Sequence, residues 1–246
     1  MGPQFNIHPT VHQLSQALAA NLMDFLHKTQ KSERNIFLAL SGGNTPTLFF
    51  KYLADYQDDM DDNSVWSRVH FFWADERCVP PDHKDSNFGM AYDWLFKRLG
   101  TAESRLHRIK GENDPSTEVK RYTDEIRRVV PFKNGVPQFD WIFLGIGEDG
   151  HTASIFPDRP DLIDTDQVCA LVKHPLTGQH RITLTCKPIN NACKIIFLVT
   201  GTSKRKIVRE IKDKSNRASQ YPAWHIAPYH GMLEWYLDKA AAEYIL

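Results

Sequence analysis

The sequence predicts an α/β fold, a doubly wound and mostly parallel sheet with helices on both faces. Three observations predict it. Short apolar runs recur at Asn35–Leu40, Val69–Ala74, Phe139–Leu144 and Lys194–Val199. They are mostly apolar rather than alternating, which fits strands covered on both faces, as in parallel sheets. Segments with helical spacing of apolar residues separate them, the pattern of β-α-β crossovers. No Pro/Gly/Ser linker and no internal repeat divides the 246 residues, so one domain spanning 1–246 is expected.

Each element has its own signal. Thr10-Val11-His12-Gln13 has the form of a capping box, and Leu14, Leu18, Leu22 and Phe25 continue an apolar stripe to about Lys28. After the strand ending at Leu40, Thr45 reads as an N-cap and Pro46 as the first helical residue of a helix to about Ala54. Residues Asp58–Asn63 read as an acidic surface loop. Val69–Ala74 runs into Asp75-Glu76-Arg77 and then a long loop rich in Pro and Asp. Helices are expected over Asn87–Arg98 and Ser116–Val129. Gln167–Val172 and Arg181–Thr185 read as further strands, and a helix to about Lys212 follows Thr200–Lys204. Met232–Tyr244 mixes strand-like alternation with helix-forming alanines.

Composition narrows the function classes. Lys plus Arg and Asp plus Glu each number 30, so formal net charge is zero, and hydrophobic residues make up 41%. That balance speaks against nucleic-acid or membrane-surface binding through bulk charge. No apolar run approaches a membrane span, and the first residues have neither a signal-peptide pattern nor the Ser or Thr of a myristoylation signal, since Asn6 stands there. Cys78, Cys169, Cys186 and Cys193 form no C-x-x-C pair, so reduced thiols in a cytoplasmic protein are expected. The histidines show no metal-ligand spacing, and G-x-S-x-G is absent.

Four strand ends carry candidate chemistry, and in open α/β sheets such loops gather at the carboxyl edge. Ser41, Gly42, Gly43, Asn44 and Thr45 form a loop whose exposed N–H groups could hold an anion; it also reads as a plain strand-to-helix turn. Arg77 could grip a phosphate or carboxylate, or pair locally with Asp75 or Glu76. Asp149 and His151 could form an acid/base pair, the carboxylate fixing the imidazole tautomer; a backbone-bonded loop histidine is the alternative. Lys204 could be a point charge for phosphate or a solvated lysine, and Arg181 opens a strand as a weaker candidate.

Taken jointly, these segments resemble the 6-phosphogluconolactonase family, within the glucosamine-6-phosphate deaminase/isomerase superfamily. The resemblance rests on Leu40–Pro46, Trp73–Pro80, Asp85-Ser86-Asn87, Gly145–Pro157, Arg181–Thr185, Val199–Gly201 with Lys204, and Trp235–Ala241. Gly147-Glu148-Asp149-Gly150-His151-Thr152-Ala153-Ser154-Ile155-Phe156-Pro157 is the most specific segment. The resemblance implies a Rossmann-like fold. It also implies a cytosolic hydrolase of the oxidative pentose phosphate pathway that opens 6-phospho-D-glucono-1,5-lactone without a metal or organic cofactor. His151 would be the general base with Asp149 beside it. Arg77 and Lys204 would hold the phosphate together with the Ser41–Thr45 loop, and Asp75 and Arg181 would complete the substrate site. The deaminase branch, and a non-catalytic sugar-phosphate sensor, are the alternatives. Deaminases typically read D-G-H-I-A-F-N-E-P, and Phe156 stands where their glutamate does; Arg77 stands where they tend to have Tyr. A sugar-phosphate lactone is the expected partner, with no nucleic acid and no membrane; a monomer and a homodimer are equally compatible.

Overall fold

A computed structural model describes residues 2–58 and 63–246. In chain order, β1 (Gln4–His8) leads to α1 (Val11–Gln30), β2 (Ile36–Leu40), α2 (Asn44–Asp58), β3 (Val69–Trp73) and β4 (Asp75–Arg77). Then come α3 (Asn87–Ala91), a π-helical turn (Tyr92–Phe96), α4 (Lys97–Leu99), β5 (Leu106–His107) and α5 (Pro115–Val129). A small hairpin, β6 (Phe132–Lys133) and β7 (Val136–Pro137), precedes β8 (Trp141–Leu144). The remainder is β9 (Cys169–Lys173), β10 (His180–Leu184), α6 (Cys186–Asn190), β11 (Lys194–Val199), α7 (Arg205–Lys212), β12 (Met232–Asp238) and α8 (Lys239–Ala242).

Seven strands form one sheet in the order β1-β12-β11-β8-β2-β3-β5, and every neighbouring pair is parallel. All residues of β2, β8 and β11 are buried. Successive side chains point to opposite faces, so both faces of the sheet centre are covered, as the mostly apolar runs require. Even Lys194 is buried there, 2.9 Å from Glu234 on β12, with its ammonium 4.3 Å from the Trp141 ring centroid. The chain order reverses between β2 and β8, which pair only through Leu38–Trp141 and Ala39–Ile142. Beyond that short ladder their carboxyl ends part, and a crevice opens where such sheets bind ligands.

Several boundaries differ from expectation, each for a physical reason. Helix α2 begins at Asn44, so Thr45 lies inside it; its hydroxyl meets that of Thr200 at 3.0 Å instead of capping. Pro46 is tolerated because first-turn N–H groups have no intrahelical partner. Thr10 does cap α1, accepting from the Gln13 N–H at 3.2 Å. The expected helix over 87–98 is present with a π turn at its centre and closes at Gly100, φ 58°. The expected strands near 167–172 and 181–185 do not join the main sheet: β4, β10 and β9 form a separate antiparallel sheet. The mixed C-terminal segment resolves into strand then helix, with Asp238 accepting from the Ala241 N–H at the boundary. Strands β1 and β5 had no apolar run to announce them, one being a half-exposed edge and the other two residues long. Of the expected acidic loop, residues 59–62 lie outside the described residues.

One residue, Tyr122, fixes the turn from β3 into β4 with two hydrogen bonds. The fully buried Tyr122 hydroxyl on α5 donates to the Trp73 carbonyl at 2.8 Å and accepts from the Trp73 N–H at 2.8 Å. Replacing Tyr122 by Phe orphans both backbone groups in a dry interior. Tyr122→Phe is expected to cost about 1–3 kcal/mol in urea unfolding. A change under ~0.5 kcal/mol would show that the two groups find other partners.

Candidate active site

A cavity of about 360 Å³ opens at the carboxyl ends of β2, β8 and β11. Ser41, Gly42, Gly43 and Thr45 form one wall, Asp75, Arg77 and Arg181 a second, and His151 and Lys204 a third. Loops far apart in the sequence therefore converge as the fold class implied. Asn44 starts α2, and Asp149 stands behind His151 rather than in the wall.

The His151 loop is stitched to itself. Gly147 N–H donates to the His151 carbonyl at 2.8 Å, Gly150 N–H to the Gly147 carbonyl at 3.1 Å, and Thr152 Oγ1 to the Gly145 carbonyl at 2.9 Å. Gly150 has φ 85°, a left-handed conformation that costs glycine little. At Gly147, a Cβ would lie 2.2 Å from His151 Nδ1 and 2.4 Å from an Asp149 carboxylate oxygen, so only glycine fits beneath the pair. His151 Nδ1 is 2.6 Å from Asp149 Oδ1, which also accepts the His151 backbone N–H at 3.2 Å. Partial burial pushes the Asp149 carboxyl up, but the hydrogen bonds and charge of His151 outweigh it and hold it below the ordinary carboxylate value. An ionised Asp149 assigns the imidazole proton to Nδ1 and leaves the Nε2 lone pair free. Phe156, fully buried, lies at 5.0 Å between ring centroids, and Arg181 and the ring of His174 also pack on it.

The second wall depends on antiparallel pairing of β4 with β10, which sets Arg77 directly opposite Arg181. Arg77 donates to the Asp85 carbonyl at 2.7 Å and makes no ion pair with Asp75 or Glu76. Asp75 instead accepts from Ser154 Oγ at 2.6 Å and sits beside Asn87, whose amide nitrogen donates to the Asp75 carbonyl at 2.9 Å. Burial and the neighbouring Arg77 charge hold the Arg181 pKa below its ordinary value. Burial likewise lowers that of Lys204, partly offset by Glu148 and Asp149. Among the described residues none of Arg77, Arg181 and Lys204 forms an ion pair, and Nε of both arginines and Ser41 Oγ have no partner within the protein. The arrangement is a positive cavity with spare donors, suited to a small multivalent anion.

The sequence carried no separate signal for Asn87 as a cavity residue or for Ser154 as the partner of Asp75, although both lie in segments of the family resemblance. Asn87 lines the cavity, and its carboxamide oxygen would be 1.7 Å from a Cβ at Gly42, which is why the first glycine of that loop has no substitute. Among the described residues no group of three His, Cys, Asp or Glu side chains could hold a metal ion, and no helix is long and apolar enough to cross a membrane.

A model of the family described as glucosamine-6-phosphate isomerases/6-phosphogluconolactonase matches residues 9–235. The chain belongs to this family. The 6-phosphogluconolactonase of Haemophilus influenzae is 44% identical over 208 residues, 84% of this chain and 86% of that protein. That of Treponema pallidum is 38% identical over 218 residues, 88% of this chain and 89% of its own. The structure of 6-phosphogluconolactonase from Trypanosoma brucei superposes with a TM-score of 0.89 at 27% identity, covering 100% of this chain and 99% of that one.

Within this family member, Glu76 has the most perturbed carboxyl near the site. It is 2% exposed and accepts four hydrogen bonds, from the N–H groups of Arg77, Asn87 and Phe88 and from Ser86 Oγ. Burial still dominates those donors and raises its pKa to about 7. The folded state then holds the proton more tightly than the unfolded chain, so the stability linked to Glu76 is lost as pH rises from about 4.5 to about 7. Glu76→Gln should flatten the slope of unfolding free energy across that window. An unchanged slope would assign the effect to another group.

Proposed function

We propose that this chain hydrolyses 6-phospho-D-glucono-1,5-lactone to 6-phospho-D-gluconate, a step of the oxidative pentose phosphate pathway. The observation that carries the reading is His151, backed by Asp149, at the wall of a cavity lined by three cations that form no ion pair among the described residues. Membership of the family and the names of its close relatives support it. Four unpaired cysteines fit a cytoplasmic setting.

The chemistry needs only these groups. A lactone is an activated ester, so water can attack C1 directly as His151 Nε2 takes its proton. The tetrahedral intermediate collapses by breaking the bond from C1 to the ring oxygen, and that oxygen recovers a proton from the imidazolium. Asp149 holds the tautomer and stabilises the charge that His151 acquires. Ser154 Oγ donates to Asp75, and neither Ser41 nor Ser154 is bonded to a histidine, so neither forms a Ser–His nucleophile pair. Arg77, Lys204 and Arg181 bind the phosphate and so position the carbonyl, remote binding energy serving orientation. The deaminase alternative calls for a carboxylate where the fully buried Phe156 packs against His151.

Lactone hydrolysis, followed by acid release with the spontaneous reaction subtracted, tests the reading. His151→Ala should lower kcat ~10²-fold or more with KM little changed; turnover near that of the unmodified chain would remove His151 as the base. Arg77→Ala should raise KM about tenfold or more, as loss of a charge-assisted contact does. If KM and kcat both hold, Arg77 does not bind the phosphate.

A further inference from the structure

We propose that Tyr221 is a positioning residue for His151: it clamps the peptide that leads into the histidine and ties it to the helix that starts after Lys204. The inference rests on the reading of His151 as general base.

The geometry comes from three contacts. A Cβ at Gly150 would lie 2.4 Å from Tyr221 Cδ1 and 2.6 Å from its Cβ and Cγ, so the tyrosine ring occupies the space where that side chain would stand. The Gly150 carbonyl accepts the Ala223 N–H at 3.0 Å, so residue 150 is gripped from the side chain of 221 and the backbone of 223. The Tyr221 hydroxyl donates to the Glu210 carboxylate on α7. Burial, then Glu210, raises the Tyr221 pKa, which keeps the hydroxyl protonated and able to donate.

The clamp adds a restraint from outside the loop that carries His151. Gly147 and Phe156 confine the ring, and Asp149 holds one nitrogen, but all of these belong to the same loop. That loop turns at Gly150 in a left-handed conformation, and glycine there has wide backbone freedom. Tyr221 and Ala223 remove that freedom from outside the loop. The segment carrying them is itself braced, Tyr221 N–H donating to the Ala218 carbonyl and Trp224 N–H to the Tyr221 carbonyl, each at 2.9 Å. Through Glu210, the helix that follows the anion-binding Lys204 also anchors the base, so the two ends of the substrate site share one rigid element.

Steady-state kinetics per folded protein on variants of Tyr221, Glu210 and His151 tests the assignment. Tyr221→Ala should lower kcat on the order of tenfold, as misplacement of a reacting group by a fraction of an ångström does, with KM within about twofold because the cations are untouched. Tyr221→Phe keeps the ring on Gly150 and should restore most of that loss. Its residual deficit should match that of Glu210→Ala, and the double variant should be no worse than either single one, since both cut the same tether. A Tyr221→Ala protein that is folded, less heat-stable and unaltered in kcat overturns the proposal, as does additive loss in the double variant. Should Tyr221→Ala not fold, Tyr221→Leu is measured against the same criteria. His151→Ala separates the two levels: if it stays active, the base assignment fails, whereas if it is inactive while Tyr221→Ala turns over normally, only the clamp fails.

Discussion

Ala74 is the residue on which the site depends. Its N–H donates to the Leu40 carbonyl at 2.7 Å, in the main sheet, and its carbonyl accepts the Leu184 N–H at 2.7 Å, in the small one. A fully buried peptide leaves no backbone group unpaired without a cost comparable to a lost hydrogen bond. Splitting its two bonds between sheets satisfies both groups and forces the chain to change sheets between Trp73 and Asp75. Everything in the second wall follows from that step. Strand β4 takes β10 as its partner, Arg77 comes to face Arg181, and Asp75 meets Ser154 of the His151 loop.

The charges then sort by partner rather than by neighbourhood. Glu76 and Arg77 are adjacent in sequence, yet they do not pair. Glu76 turns inward to cap the start of α3 and holds the long loop after β4 closed, while Arg77 turns to the cavity. Two guanidinium groups and an ammonium, none in an ion pair among the described residues, line one cavity with Asp75, and burial and the Arg77 charge lower the Arg181 pKa. Such an arrangement is unfavourable by itself, and a bound anion would relieve it. Stability given up there is a common property of functional sites.

How far the sequence spoke depended on the range of the interaction. The apolar runs of β2, β3, β8 and β11 and the stripe of α1 are local patterns, and each became the expected element. The Asp149–His151 pair was legible because both partners lie within one turn of loop. The choice between an Arg77 ion pair and an open Arg77 was not legible, because it turns on whether Glu76 finds Asn87 and Phe88 across a loop. Thr45 read as a cap because its local context fits one, but a hydroxyl on β11's following loop, Thr200, competes for it.

The sequence by itself determined the alternation of strands and helices and which strand ends carry chemically capable residues, since periodicity and residue type act over a few positions. Only the tertiary structure decided that β4, β9 and β10 form a sheet of their own beside the main one, that Arg77 and Arg181 stand side by side, and that Tyr221 rests on Gly150. Those facts depend on backbone pairing and steric fit between segments distant in the chain, where the energy belongs to the contact and not to either segment alone.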